Sequence, residues 1–251
     1  MSWLLLAALC ALQPGWSTRE TPSGRVYRIY APAKAAAGLP LVLEFHGRGS
    51  NSAQQRVLSR LDDAADAGPF LLVQPEARDG QWNAGPCCGA ADDAGFVREV
   101  LSALDCARPG RVHAVGFSNG GLFAQHLACA LPGRLASIAS VAGAVAFTGC
   151  KTQVPVLLIH GTDDAILPFA GARSAEERWA VRNGCGPEKA QVLRKGATRC
   201  EQRLGCAAAV ELCTVEGGGH TWPGGVALPG LGQTDRGFDA TAAIAAFFAR
   251  R

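Results

Sequence analysis

The chain has 251 residues, 48% of them hydrophobic and 18% charged, with 24 basic side chains against 21 acidic ones. That length suits one α/β domain with a full core. The basic residues are scattered, which excludes the positively charged face that a nucleic-acid partner needs, and no repeat, low-complexity tract or linker divides the chain.

Taken in order, Trp3 to Leu12 is apolar and uncharged but too short to span a bilayer. Together with Gln13–Ser17 it reads as a signal peptide over residues 1–17, cut near Ser17–Thr18, with 18–251 as a single catalytic domain. Strands are predicted over Val26–Tyr30 and Leu41–Phe45, the second feeding the loop His46-Gly47-Arg48-Gly49-Ser50. A helix over Ala53–Ala67 and a strand over Phe70–Gln74 precede a loop, Glu76 to Ala91, that carries Trp82. A helix over Gly95–Leu104 is expected to be capped by Asp92 and Asp93. Further strands are predicted over Val112–Phe117, Ile138–Val141, Val156–His160 and Val210–Val215, and further helices over Leu122–Leu131, Ala172–Arg182 and Asp239–Arg250. This alternation implies βαβ units, a mostly parallel sheet covered by helices on both faces, and no large lid.

One junction carries chemistry. Gly116-Phe117-Ser118-Asn119-Gly120-Gly121 lies between a predicted strand and a predicted helix, the setting of a nucleophile elbow. Such a turn forces the serine into a strained backbone conformation and needs nearly side-chain-free neighbours two positions away on each side. A serine hydroxyl also needs a base, and the base an orienting acid. His160-Gly-Thr-Asp-Asp164 follows a strand and offers Asp163 or Asp164; adjacent residues leave a turn in different directions, and Asp164 is preferred. Of five histidines, His220 alone is both late in the chain and in a glycine-rich loop, so it is the expected base. His46 and His160 precede glycines at strand ends, where backbone geometry is expected to matter more than the ring; His113 and His126 read as structural. The Asn119 N–H and one from Gly47–Arg48 are the expected oxyanion donors. Trp82 and Trp222 are the expected walls of the substrate pocket, able to stack on a phenolic ring or sugar.

Ten cysteines point to export; setting Cys10 aside leaves nine, at 87, 88, 106, 129, 150, 185, 200, 206 and 213. They show no paired CxxC spacing for zinc. An odd total leaves a thiol free unless chains are linked, and Cys129 is the candidate, packed as a small apolar side chain. Cys87 and Cys88 either bond to each other or to two separate partners.

His46-Gly47, Trp82-Asn83-Ala-Gly-Pro-Cys87-Cys88-Gly89, Asp92-Asp93-Ala-Gly-Phe96, Gly116 to Gly121, His160-Gly-Thr-Asp-Asp164 and Gly217-Gly-Gly-His-Thr-Trp-Pro-Gly224 run in one order along nearly the whole mature chain. With these segments the chain resembles the secreted esterase family that joins polyhydroxybutyrate depolymerase-like proteins with feruloyl esterases, within the α/β-hydrolase fold. The resemblance places the triad on Ser118, Asp164 and His220, and pairs Cys185 with Cys206. Arg48 departs from it, since a small residue stands there in many relatives. The implied protein is a secreted, monomeric serine esterase that uses no metal or organic cofactor and binds neither nucleic acid nor membrane. Feruloyl or related esters of plant polysaccharide such as xylan are the leading substrate, preferred with other short or aromatic acyl esters over long-chain lipids. A polyester depolymerase-like esterase is the alternative, and a non-catalytic hydrolase-fold binding protein the more distant one.

Overall fold

The computed structural model describes residues 12–34, 38–85, 87–105, 111–144 and 149–251. Its strands form one ten-stranded sheet in the order β1-β2-β4-β3-β5-β6-β7-β10-β9-β8. The six central strands β4 (Leu71–Pro75), β3 (Leu41–Phe45), β5 (Val112–Phe117), β6 (Ser137–Val141), β7 (Val156–Gly161) and β10 (Val210–Val215) are mutually parallel. Apart from partly buried Val112 they are buried from end to end, as near-continuous apolar runs covered on both faces should be. An antiparallel pair closes each edge: β1 (Gly15–Glu20) with β2 (Val26–Ala31), and β8 (Lys189–Lys195) with β9 (Thr198–Arg203).

Two apolar layers sandwich the sheet. One contains Phe45, Trp82, Phe96, Phe123 and Trp179; the other contains Phe70, Trp222, Phe238, Phe247 and Phe248. The helices are α1 (Ser52–Ser59), α2 (Leu61–Ala67), α3 (Asp93–Leu104), α4 (Asn119–Ala130), α5 (Phe169–Arg182) and α6 (Ala240–Ala249).

Several expectations are corrected. The helix predicted over 53–67 breaks at Arg60, which takes a left-handed conformation (φ 53°) and ends α1 by donating its N–H to Arg56 O. Tertiary contacts impose this break: Thr241 Oγ1 donates to Ser59 O, and the backbone at Leu58 closes on Gly225. Three strands were not predicted. β8 and β9 are polar sequences, largely exposed along β8. β1 includes Gly15–Ser17, assigned by sequence to the leader; here Trp16 pairs with Tyr30 in the ladder and lies beneath the Arg28 guanidinium. A cut at Ser17–Thr18 would divide this strand, while residues 1–11 lie outside the described ones. Asp92 caps α3 through Gly95 N–H at 2.7 Å, whereas Asp93 pairs with the buried Arg25 at 2.5 Å.

Four disulfides join described residues: Cys87–Cys88, Cys129–Cys150, Cys185–Cys206 and Cys200–Cys213. Cys129 is therefore bridged rather than free; Cys10 and Cys106 lie outside the described residues. No described helix is long and apolar enough to cross a membrane.

Candidate active site

Parallel strands end together, so the loops after β3, β5, β7 and β10 meet at one edge of the sheet. Ser118 sits between β5 and α4 with φ 53° and ψ −120°, a conformation that costs a side-chain-bearing residue on the order of 1–3 kcal/mol. The flanking glycines are required sterically. A Cβ at Gly116 would lie 2.2 Å from the Gly120 carbonyl carbon, and one at Gly120 would lie 2.2 Å from Phe45 O. The Ser118 N–H donates to Val141 O at 2.9 Å and its carbonyl accepts from Leu122 N at 3.0 Å, which fixes the turn from both sides.

His220 reaches Ser118 from the loop after β10. Its Nε2 lies 2.8 Å from Ser118 Oγ and its Nδ1 2.7 Å from Asp164 Oδ2. A carboxylate can only accept, so Nδ1 carries the proton and Nε2 is left to receive one from the serine hydroxyl. The turns after β7 and β10 interlock: Asp163 N–H donates to Gly218 O at 2.9 Å, and a Cβ on Gly161 would lie 2.0 Å from that same oxygen. Of the two adjacent acids, Asp164 is buried and faces His220, while Asp163 is exposed with its carboxylate on the Thr162 hydroxyl.

Asp164 is more heavily held than the sequence suggested. Oδ1 accepts the N–H groups of Ile166 and Leu167 at 2.9 and 2.8 Å. Oδ2 is shared between His220 and His160, whose Nε2 lies 3.2 Å away and also donates to Leu167 O at 2.7 Å. Burial alone would raise this carboxyl; the hydrogen bonds from His160, His220 and the Leu167 N–H overcome it and hold the group well below the usual carboxylate range. The His160 ring thus acts on the site, contrary to the backbone role expected for it. No spacing in the sequence signals this, because the contact depends on how the turn after β7 folds back.

His46 is the second ring with more than a backbone role. Its Nδ1 lies 2.8 Å from Gly47 O, its Nε2 accepts the Ala77 N–H at 3.1 Å, and its own carbonyl accepts from Trp82 Nε1 at 3.0 Å. Burial lowers its pKa, outweighing the opposing pulls of the Gly47 carbonyl and Glu76. These bonds pin the loop that carries Gly47 and Arg48 beside the elbow, where a Cβ on Gly47 would lie 3.6 Å from Ser118 Cβ. No backbone carbonyl among the described residues takes up the N–H groups of Gly47, Arg48 or Asn119. The Asn119 side chain points away, exchanging two hydrogen bonds with the backbone of Trp82 at 2.7 and 3.1 Å.

A cleft of about 930 Å³ opens over Ser118 and His220. Its walls are mainly aliphatic, including Leu58, Leu122, Ile166, Leu167, Leu228 and Leu231, with the Cys87–Cys88 bridge forming part of one side. The two tryptophans expected as walls are not there. Trp82 and Trp222 are each 0% exposed. Trp82 stacks on Phe123 at 5.0 Å within one core layer, and Trp222 bonds Thr241 Oγ1 at 3.0 Å within the other. Each indole finds both an apolar bed and a partner for its N–H, which favours burial over the wet cleft. Among the described residues no cluster of side chains could hold a metal ion. Chemically, a serine in reach of an oriented imidazole, below an apolar cleft and beside free N–H groups, suits acyl transfer to serine and then to water.

The chain is similar to several known esterases. A family profile described as Phospholipase/Carboxylesterase matches residues 95–204. The chain is 32% identical over 247 residues to the putative esterase NocK of Nocardia uniformis subsp. tsuyamanensis, an alignment covering 80% of this chain and 71% of that protein. It is 30% identical over 216 residues to feruloyl esterase B of Piromyces equi, covering 72% of this chain but 39% of the longer relative. Among solved structures, an acetyl xylan esterase from Aspergillus awamori superposes with a TM-score of 0.68 at 13% identity, covering 83% of this chain and 94% of that one, a likeness of fold. The chain belongs to the α/β-hydrolase family of carboxylic-ester hydrolases.

Proposed function

We propose that this esterase works through a covalent acyl-enzyme on Ser118. His220 removes the hydroxyl proton as Ser118 attacks the ester carbonyl, then delivers it to the departing alcohol. Asp164 holds His220 in the productive tautomer and stabilises its cationic form. The N–H groups of Asn119 and of Gly47 or Arg48 receive the oxyanion. Water, activated by the same imidazole, releases the acid. The observation that carries this reading is the pair of hydrogen bonds from His220, 2.8 Å to Ser118 and 2.7 Å to Asp164. Labelling with a fluorophosphonate probe tests it: wild-type protein should be modified at Ser118 and Ser118→Ala should not. Ser118→Ala should remain folded and lose on the order of 10⁴-fold or more of kcat on p-nitrophenyl acetate. Turnover near the wild-type level in that variant would end the proposal.

For the substrate we propose feruloyl or related esters of plant polysaccharide, on the strength of the similarity to a feruloyl esterase and of a cleft large enough for a phenolic ring. The ring would lie against leucine and isoleucine rather than stack on tryptophan. Aliphatic walls also reward added acyl methylenes, at roughly 0.8 kcal/mol each when fully buried. Methyl ferulate should be hydrolysed, and within the p-nitrophenyl series butyrate should be turned over faster than acetate as its added methylenes meet the aliphatic walls; a maximum at octanoate or beyond would shift the assignment toward lipid esters. Export is proposed as well, on the four disulfides, with any leader removed ahead of β1. Sequencing the N-terminus of exported protein tests this.

A further inference from the structure

We propose that Arg48 makes this enzyme favour, among the esters its cleft accepts, those that carry a carboxylate close to the scissile bond over their neutral isosteres. The inference rests on the serine-esterase reading above and names the class of substrate that the same cleft favours.

Three observations support it. First, among the described residues that line the cleft, Arg48 and His220 are the only ionisable side chains and none is an aspartate or glutamate. His220 is committed to Ser118 and Asp164, so the guanidinium is the one charge offered to a substrate. Second, Arg48 is exposed and forms no ion pair or side-chain hydrogen bond with the described residues. Many other arginines are engaged: Arg25 with Asp93, Arg56 with Asp62, Arg203 with Glu176 and Glu177. Third, the backbone beneath Arg48 is fixed while its side chain is free. Gly49 N–H donates to Gly80 O at 2.8 Å, Ser50 N–H to Gly47 O at 3.2 Å, and Gly47 lies against Phe117 and Ser118. The cation therefore stands on a hydrogen-bonded loop that lines the same cleft as Ser118.

An unpaired guanidinium at the rim of an aliphatic cleft gains nothing from a neutral ester, because water already solvates it. A substrate carboxylate gains a planar, two-pronged partner, in surroundings where apolar walls weaken screening by water. Any help that Arg48 gives to the developing oxyanion applies to every ester, and so cancels when a charged substrate is compared with its neutral isostere.

Two isosteric pairs test the proposal. On the acyl side, monomethyl glutarate is compared with methyl 5-methylhexanoate. On the alcohol side, 4-acetoxybutanoate is compared with 4-methylpentyl acetate. The quantity read is the ratio of kcat/KM, charged over neutral, within each protein. Wild type should favour the charged member of at least one pair by about fivefold at low salt, the upper range for an exposed ion pair. That preference should shrink toward unity in molar salt, where the screening length is about 3 Å. Arg48→Lys should retain part of the preference and Arg48→Gln should abolish it. The proposal is overturned if the ratio in both pairs is the same for wild type and Arg48→Gln, or if salt leaves the wild-type ratio unchanged. Failure of the underlying reading looks different: Ser118→Ala would then still hydrolyse the neutral esters.

Discussion

At the scale of single residues, the site is a chain of orientations. In the proposed mechanism Ser118 is only as reactive as His220 is well placed, and His220 only as well placed as Asp164. Asp164→Asn presents an amide where a carboxylate must accept, which favours the wrong imidazole tautomer. It should lower kcat by up to about 10⁴-fold. Asp163→Asn, whose exposed carboxylate meets only the Thr162 hydroxyl, should leave turnover within a few-fold of wild type. Steady-state kinetics on p-nitrophenyl acetate decides between them, and the reverse ranking would exchange the two roles. His160 adds a further link. His160→Phe removes a donor from a buried carboxylate and should cost about tenfold or more in kcat with KM little changed. His160→Gln places an amide N–H near the former Nε2 and should recover much of the loss. Equal activity in the two variants would mean that the ring serves packing alone. The convergence of Ser118, Asp164 and His220 was legible in the sequence because a strained turn demands glycines at fixed spacing and because the three segments follow one order along this fold. The approach of His160 to Asp164 was not legible, since it arises from a turn folding back on itself. Nor was the burial of Trp82 and Trp222: a glycine-rich loop reads as exposed whether or not its one large side chain turns inward.

At the scale of elements, the central strands announced themselves as apolar runs, and five of the six helices begin within about three residues of where periodicity puts them. Two of the missed strands share a cause. β8 and β9 are rich in Lys, Arg, Glu and Gln because they form a solvated edge, and an edge strand of that kind lacks the apolar run used to find the others. What holds this hairpin is cross-linking. Arg203 of β9 bonds Glu176 of α5 at 2.6 Å and Glu177 at 2.5 Å, Lys189 of β8 bonds Glu176 at 3.0 Å, and Cys200–Cys213 ties β9 to β10. Hydrogen bonding to Arg203 and Lys189 outweighs the effect of burial and lowers the Glu176 pKa. Since β10 leads directly into the His220 loop, the hairpin buttresses that loop from the far side. The double variant Cys200→Ser, Cys213→Ser opens a loop of 13 residues' separation and should lower the unfolding free energy by about 2–4 kcal/mol. At temperatures where the variant is folded, kcat should stay within a few-fold of wild type, because β10 keeps its parallel pairing with β7. Denaturant titration gives the first quantity and kinetics the second. A large loss of kcat in folded protein would show that the bridge positions His220 directly.

At the scale of the whole molecule, two buried titratable groups give stability an unusual dependence on pH. Glu44, the penultimate residue of β3 and two positions before His46, accepts from Gln55 at 2.9 Å and from Gln74 at 2.7 Å. Burial raises its pKa to about 7 despite those bonds and one from Ser59. The unfolded chain should release this proton near the ordinary value of 4.5. Between the two values the folded state keeps a proton that the unfolded state has lost. The contribution of Glu44 is therefore most favourable below pH 4.5 and declines as pH rises to 7, by about 3 kcal/mol in all. His113 works the other way. Burial, aided by the charge of Arg111, lowers its pKa to about 4 from an ordinary 6.5. Its contribution is present above pH 6.5 and lost as pH falls toward 4. From pH 4.5 to 6.5 the slope from Glu44 opposes that from His113, which His46 and His126, also lowered by burial, reinforce. Glu44→Gln keeps the shape of the side chain and removes only its titration. Relative to wild type it should gain about 3 kcal/mol between pH 4.5 and pH 8, and its own stability should fall more steeply with acid because His113, His46 and His126 are left unopposed. Urea denaturation of both proteins at pH 4.5, 6.5 and 8 measures this. A constant difference between them across that range would mean that Glu44 does not change its protonation on folding, and the charge of β3 beneath the site would need another account.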